Sequence, residues 1–233
     1  MMNRLLPLLG LCTVAALAPR DTMAQVGYTP RKSPYRDLHG RQELTIFAGQ
    51  YNAGVDPAGV APVSGPTFGA HYEFHMTGPA YFTAHSMMVL SERTVLDPTK
   101  VLALRDLGKK SVNLLLTDIG FALNLTGYKS WHGIVPSLGG GLGIGAAFDS
   151  PDVGQYKVGY PFLLTLRPAI KFAPGGRWQG RIDAGNYFYR IRYPDSYFTK
   201  STADPAVLQL SDGRNVWKRN LGLTAGITYT FGR

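Results

Sequence analysis

His85 stands beside Ser86, and Glu73 and Asp118 supply carboxylates elsewhere in the chain. Together they hold the residue types of a base, a nucleophile and an orienting acid, which is what acyl transfer at a hydroxyl requires. A strand turns consecutive side chains to opposite faces, however, so His85 and Ser86 share a site only across a bulge. His71, Glu73 and His75 recur at every second position, so on a strand they share one face, a spacing open to metal ligation. Hydrogen bonding inside a protein explains the same residues, and neither a metal nor another cofactor is expected. Gly139, Gly141, Gly143 and Gly145 alternate in a run that no helix follows, so they read as close strand packing rather than a phosphate loop.

Whatever these residues do depends on the elements that carry them, and composition limits the choice. The chain has 233 residues, of which 17% are charged and 12% aromatic, too few charges and too many rings for a disordered polymer. Outside the first 24 residues no apolar run reaches the length of about 18 that a helical membrane span needs. Residues 1–24 read as a cleaved signal peptide, with Arg4 as the positive region, an apolar stretch from Leu5 to Ala18, and Thr22-Met23-Ala24 before Gln25. The single cysteine, Cys12, falls within that leader, so neither a disulfide nor thiolate chemistry is expected in the mature protein. Without Arg4, Arg20 and Asp21, the 24 basic and 15 acidic residues become 22 and 14, a net of +8. Export turns that balance away from nucleic acid and toward a phosphate-bearing membrane surface.

Residues 25–41 are basic, contain proline and lack apolar periodicity, which predicts a flexible periplasmic arm. From there to the C-terminus a period of two prevails. Leu221, Leu223, Ala225, Ile227, Tyr229 and Phe231 alternate with Gly222, Thr224, Gly226, Thr228 and Thr230. Comparable segments around residues 44–48, 68–74, 81–90, 113–124, 134–147, 162–172 and 178–189 bring the total to eight strands. Short links at 76–79, 126–132 and 173–177 alternate with long ones at 52–64, 91–110, 149–159 and 194–215. That is the pattern of an antiparallel up-and-down transmembrane barrel with tight periplasmic turns and external loops.

A soluble eight-stranded barrel would put its apolar set inside. Here the opposite face is mostly glycine and threonine, a poor water-facing surface and a good filling for a narrow lumen, so the apolar set is expected to meet lipid. Aromatic residues sort to two levels: Trp131, Phe172, Trp178 and Phe231 at the turn end, and Tyr51, Phe148, Tyr160, Tyr193 and Trp217 at the loop end.

With leader, eight strands and aromatic-ended last strand in place, residues Gln42 to Arg233 resemble the small outer-membrane β-barrel proteins of Gram-negative bacteria, of the OmpA and OmpX type. The resemblance implies outer-membrane localisation and recognition of Leu221 to Phe231 by the assembly machinery, with Gly232 and Arg233 following the aromatic residue here. It also implies a rival function, because some barrels of this size are lipid A deacylases or acyltransferases. His85, Glu73 and Asp118 are the residues that reading would use.

The inward set holds Glu43, Glu73, Asp118 and Asp183 against Arg167, Lys171 and Arg181, with His71, His75 and His85 nearby in the pattern. Near-balanced signs in a narrow interior predict a paired polar plug. The leading reading is therefore a monomeric, non-enzymatic barrel with a structural, envelope-integrity or adhesive role; a narrow pore is a further alternative. Lys109, Lys110, Arg190, Arg192, Lys218 and Arg219 are the expected contacts to lipopolysaccharide phosphates. The loop from Pro194 to Asn215 is the expected seat of an extracellular ligand.

Overall fold

The computed structural model describes residues 33–200 and 204–232. The expected leader, 1–24, and the start of the arm lie outside the described residues, and every strand belongs to the unit that begins at Pro34.

Ten strands run in chain order: β1 (Tyr35–Asp37), β2 (Gln42–Asn52), β3 (Gly65–Thr77), β4 (Ala80–Leu96), β5 (Asp106–Asn124), β6 (Lys129–Trp131), β7 (Ile134–Ala147), β8 (Phe162–Phe172), β9 (Trp178–Arg192) and β10 (Asn215–Phe231). Eight of them, all but β1 and β6, form an antiparallel ring closed by pairing of β10 with β2 and of β7 with β8. Closure leaves no edge within the wall, so the backbone groups of the ring find their partners inside the sheet.

Register fixes the ring's geometry. The line of paired residues that starts at Gln42 passes Phe74, Phe82, Phe121, Gly140, Leu166, Asn186 and Leu221, and returns to β2 at Asn52. The return is displaced by ten residues, which for eight strands corresponds to a tilt of about 40° and a rise of about 2.5 Å per residue. An apolar band about 25 Å tall therefore takes up about ten residues per strand.

The outward set supplies that band. Ile46, Phe68, Ile119, Phe121, Leu142, Ile144, Phe162, Ile182 and Ile227 are exposed, in alternation with inward-facing neighbours. Trp131, Phe172 and Trp178 stand exposed at the turn end, and Phe148, Tyr160 and Trp217 at the loop end. Tyr51 and Tyr193 do not join the outer girdle, because both point inward and are buried. Tyr51 follows Phe47 and Gly49 in the inward phase of β2, so period two assigns it to the interior.

The structure departs from the sequence pattern in three further places. The 91–110 connection is mostly strand: β4 continues to Leu96 and β5 starts at Asp106, leaving 97–105 as the loop of a projecting hairpin. The lumen is not small and polar throughout, because its outer half is an apolar core of Met87, Val89, Val112, Leu114, Leu116, Leu163 and Ile191. Here both faces of β5 are hydrophobic, one for lipid and one for the core, so alternation alone does not tell them apart.

The arm is the third place, because its described part contains a paired strand. Tyr35–Asp37 pairs with Lys129–Trp131 in the turn between β5 and β7, and β2, which it leads into, stands four strands away around a ring of eight. Residues 34–41 thus cross the turn-side mouth along a diameter as an ordered strap. Leu38 packs on Val135, Ala173 and Tyr128, its N–H reaches Tyr128 O at 3.2 Å, and Tyr128 Oη donates to Gly40 O at 2.8 Å. Most of this anchoring is backbone hydrogen bonding, which needs no side-chain periodicity.

Candidate functional site

The inner half of the lumen holds two joined ionic clusters. In the lower one, Lys171 of β8 donates to Glu43 Oε2 at 2.8 Å and to Glu73 Oε2. Arg181 of β9 donates through Nη1 to Glu73 Oε1 at 2.7 Å and forks onto Asp183 at 2.8–3.0 Å. His71 Nε2 meets Glu73 Oε1 at 3.0 Å. In the upper one, Arg167 Nη1 lies 2.7 and 2.8 Å from the two oxygens of Asp118, which also meets Thr165 Oγ1 and His85 Nδ1 at 3.1 Å each. All of these charged side chains are buried. Four carboxylates face three cations and two imidazoles from six different strands, so the clusters tie the wall together across its interior.

Glycines make room for them. A Cβ at Gly141 would sit 2.6 Å from Asp118 Oδ1, and Cβ atoms at Gly185 and Gly222 would sit 2.8 and 2.9 Å from the Tyr187 ring. Gly141 and Gly143 of β7 thus leave the space that Asp118 occupies.

His85 is buried, stacked parallel to Phe47 at 5.2 Å and with the tilted Tyr187 ring at 5.9 Å. Ser86 points the other way, outward, with Oγ 3.2 Å from Thr117 Oγ1. The structure brings His85 to Asp118 and leaves Ser86 on the opposite face; Glu73 belongs to the lower cluster. His75 does not reach the network. It keeps the inward phase of β3 and pairs with Tyr81, but it sits at the turn end, where it meets Gly78 O at 3.0 Å and stacks on Tyr128 at 4.2 Å. Among the described residues no three His, Cys, Asp or Glu side chains converge to hold a metal ion.

Above the apolar core the four external connections are clamped to one another, a feature with no counterpart in the strand pattern. Arg93 at the top of β4 is fully buried, with Nη1 2.8 Å from Asp152 Oδ2 and Nε 3.2 Å from Asp149 Oδ2. Tyr156, Tyr193 and Tyr197 stack beside it at centroid spacings of 6.0–6.1 Å. Tyr193 Oη donates to Asp56 Oδ2 at 3.0 Å, and burial first, then the Asp56 carboxylate, holds that phenol above its ordinary pKa. Leu102 N donates to Asp204 Oδ2 at 2.9 Å, and Arg105 Nη2 to Pro205 O at 3.1 Å, closing the 97–105 loop onto the last one. The one available sequence signal is phase: Arg93 follows Met87, Val89 and Ser91 in the inward set of β4.

Of the cations expected at lipid phosphates, Arg190, Arg192 and Arg219 face outward. Lys109 and Lys110 are exposed on the projecting β4–β5 hairpin, with Lys109 Nζ 4.0 Å from Glu92. Lys218 is a correction: it is buried, and Nζ donates to Pro62 O at 2.7 Å under the lid. Alternation requires this, since Trp217 and Arg219 on either side are outward.

No protein-family model matches the chain, and no curated protein resembles it in sequence. The fold defines a class, the small eight-stranded transmembrane β-barrels. Solved structures similar to it are small outer-membrane barrel proteins. They include the Neisserial surface protein A, NspA, at 13% identity and a TM-score of 0.46 over 82% of this chain and 97% of that one. OprG from Pseudomonas aeruginosa aligns at 14% identity and a TM-score of 0.46 over 84% and 98%. Ail, the attachment invasion locus protein of Yersinia pestis, aligns at 15% identity and a TM-score of 0.38 over 82% and 100%.

Proposed function

We propose that this chain is a non-enzymatic barrel of the Gram-negative outer membrane, exported by a cleaved leader, whose role is structural or surface-interactive and whose lumen is blocked. The observation that carries the reading is the continuous filling of the interior. Ion clusters occupy the inner half, an apolar core the outer half, and interlocked loops lie above both. An eight-stranded ring has room for its own side chains and little else.

The clamped loops suit a surface role, since a preordered face loses less conformational entropy on binding than a mobile one. Pro194 to Asn215 remains the segment for an extracellular ligand, and Leu221 to Phe231 the segment for the assembly machinery. Burial of His85 on the lumen side, beside Phe47 and Tyr187, speaks against its use as a base on lipid A, which would have to reach it from the membrane.

Reconstitution in a planar bilayer tests the reading. Baseline current without steps is the expected record; stable, voltage-independent steps of defined conductance would refute it and favour the narrow pore.

A further inference from the structure

The outward cations are not spread evenly around the rim. Leu221 pairs with Asn52 at the end of β2, and above it on β10 come Arg219 and Trp217, two and four residues further out. Trp217 pairs with Arg190 of β9, and Asn215 with Arg192. Three arginines thus share one small outward patch directly above the apolar band, interleaved with an exposed indole.

Like charges set so close destabilise a sheet unless something of opposite sign joins them. Arg219 is pinned through Nε and Nη2 to Asn186 Oδ1 at 3.1 and 3.0 Å, an outward amide, and keeps its remaining N–H groups for another partner. The side chains of Arg190 and Arg192 have no ion pair or hydrogen bond among the described residues. Beside Arg192 a groove of about 440 Å³ opens at the rim, lined also by Gln155, Lys157, Tyr160, Tyr193 and Asp195. Asp195 is taken up by Arg214 at 2.7 Å, so the free charge of the groove is positive.

We propose that the rim of β8, β9 and β10 is a binding site for the phosphorylated sugar headgroup of an outer-leaflet glycolipid. Arg190 and Arg219 grip one phosphate, and Arg192 and Lys157 receive a second in the groove, with Tyr160 and Trp217 against the sugar and the upper acyl chains. Guanidinium pairs suit phosphate geometry, and aromatic rings with a polar edge belong at this depth. The site occupies one side of the barrel. Lys109 and Lys110 stand on β5, across the ring from β9 and β10, and rise with the projecting hairpin beside the acidic Glu92, so they take no part.

The proposal rests on the barrel spanning the outer membrane, but its failure would leave the blocked-lumen reading intact. The test is native mass spectrometry of the detergent-purified protein with added diphosphorylated lipid A, its fully dephosphorylated form and phosphatidylglycerol. Wild type is expected to retain the diphosphorylated lipid preferentially. The R190Q/R192Q/R219Q variant should bind it roughly a hundredfold more weakly, the sum of three cations near an anionic surface. R190K/R192K/R219K should fall between the two, keeping the charge and losing the guanidinium geometry, and K109Q/K110Q should bind as wild type. Heat-modifiable migration on gels verifies that each variant is folded. Equal retention of the dephosphorylated lipid, equal retention of phosphatidylglycerol, or unchanged binding by the folded glutamine variant would each overturn the site.

Discussion

Arg93 and Asp152 meet at 2.8 Å above the apolar core, joining the top of β4 to the connection between β7 and β8. Neither is near the other in sequence, and the arginine has no exposed surface. The pair holds one external connection onto a strand hairpin, and through the stacked tyrosines it extends to the last connection as well.

Replacing Arg93 with Met should therefore loosen the lid and leave the barrel standing. Asp149 and Asp152 would lose their buried counter-charge, a change that costs several kcal/mol when the partner stays behind. Chymotryptic cleavage at Tyr156 and Tyr197 should become fast while the strands stay resistant. Adding Asp152→Asn should slow cleavage again in part. Cleavage no faster than in wild type would contradict the clamp.

Inside the membrane the same cost attaches to Glu73, which serves Lys171, Arg181 and His71 together. Glu73→Gln should lower stability by about 3–5 kcal/mol in urea unfolding from lipid vesicles. Lys110→Gln, on the surface, should stay within about 0.5 kcal/mol. Equal losses for the two would mean that the interior clusters do not hold the wall.

The membrane-facing half of each strand is legible in the sequence because lipid on one side and a narrow lumen on the other impose strict alternation. Leu142 and Ile227 can only be outward once Gly141 and Gly226 are inward. Most of the ionic cluster is legible for the same reason. His75 shares the phase but lies at the turn end, where Tyr128 of the next turn-side connection stacks on it; period two gives the face of a residue and not its partner. Lys218 reads as a surface cation only when the phase that fixes Trp217 and Arg219 is ignored. The lid is not legible at all: Arg93, Asp56 and Tyr193 meet through long-range packing between connections, where no period exists to read.

The strap across the inner mouth is hidden too, since its hold is mainly backbone bonding around one apolar side chain, Leu38. In a Cys12→Ser background, Ser137→Cys places a thiol in the buried lower lumen, above Val135. It should react slowly with a water-soluble thiol reagent. Leu38→Asp removes an apolar anchor of ~1.5–3 kcal/mol and should raise the labelling rate roughly tenfold or more. Identical rates would show that residues 34–41 do not seal this end.

Lumen, lid and rim site all depend on which face of the strands meets the acyl chains, and spin labels read this directly. In vesicles of the Cys12→Ser protein, labels at Leu142 and Ile227 should collide with oxygen far more often than with a water-soluble nickel chelate. A label at Thr45, inward on β2, should be protected from both. A nickel-accessible, oxygen-poor signal at Leu142 and Ile227 would mean that these side chains face water, and the transmembrane barrel would be wrong.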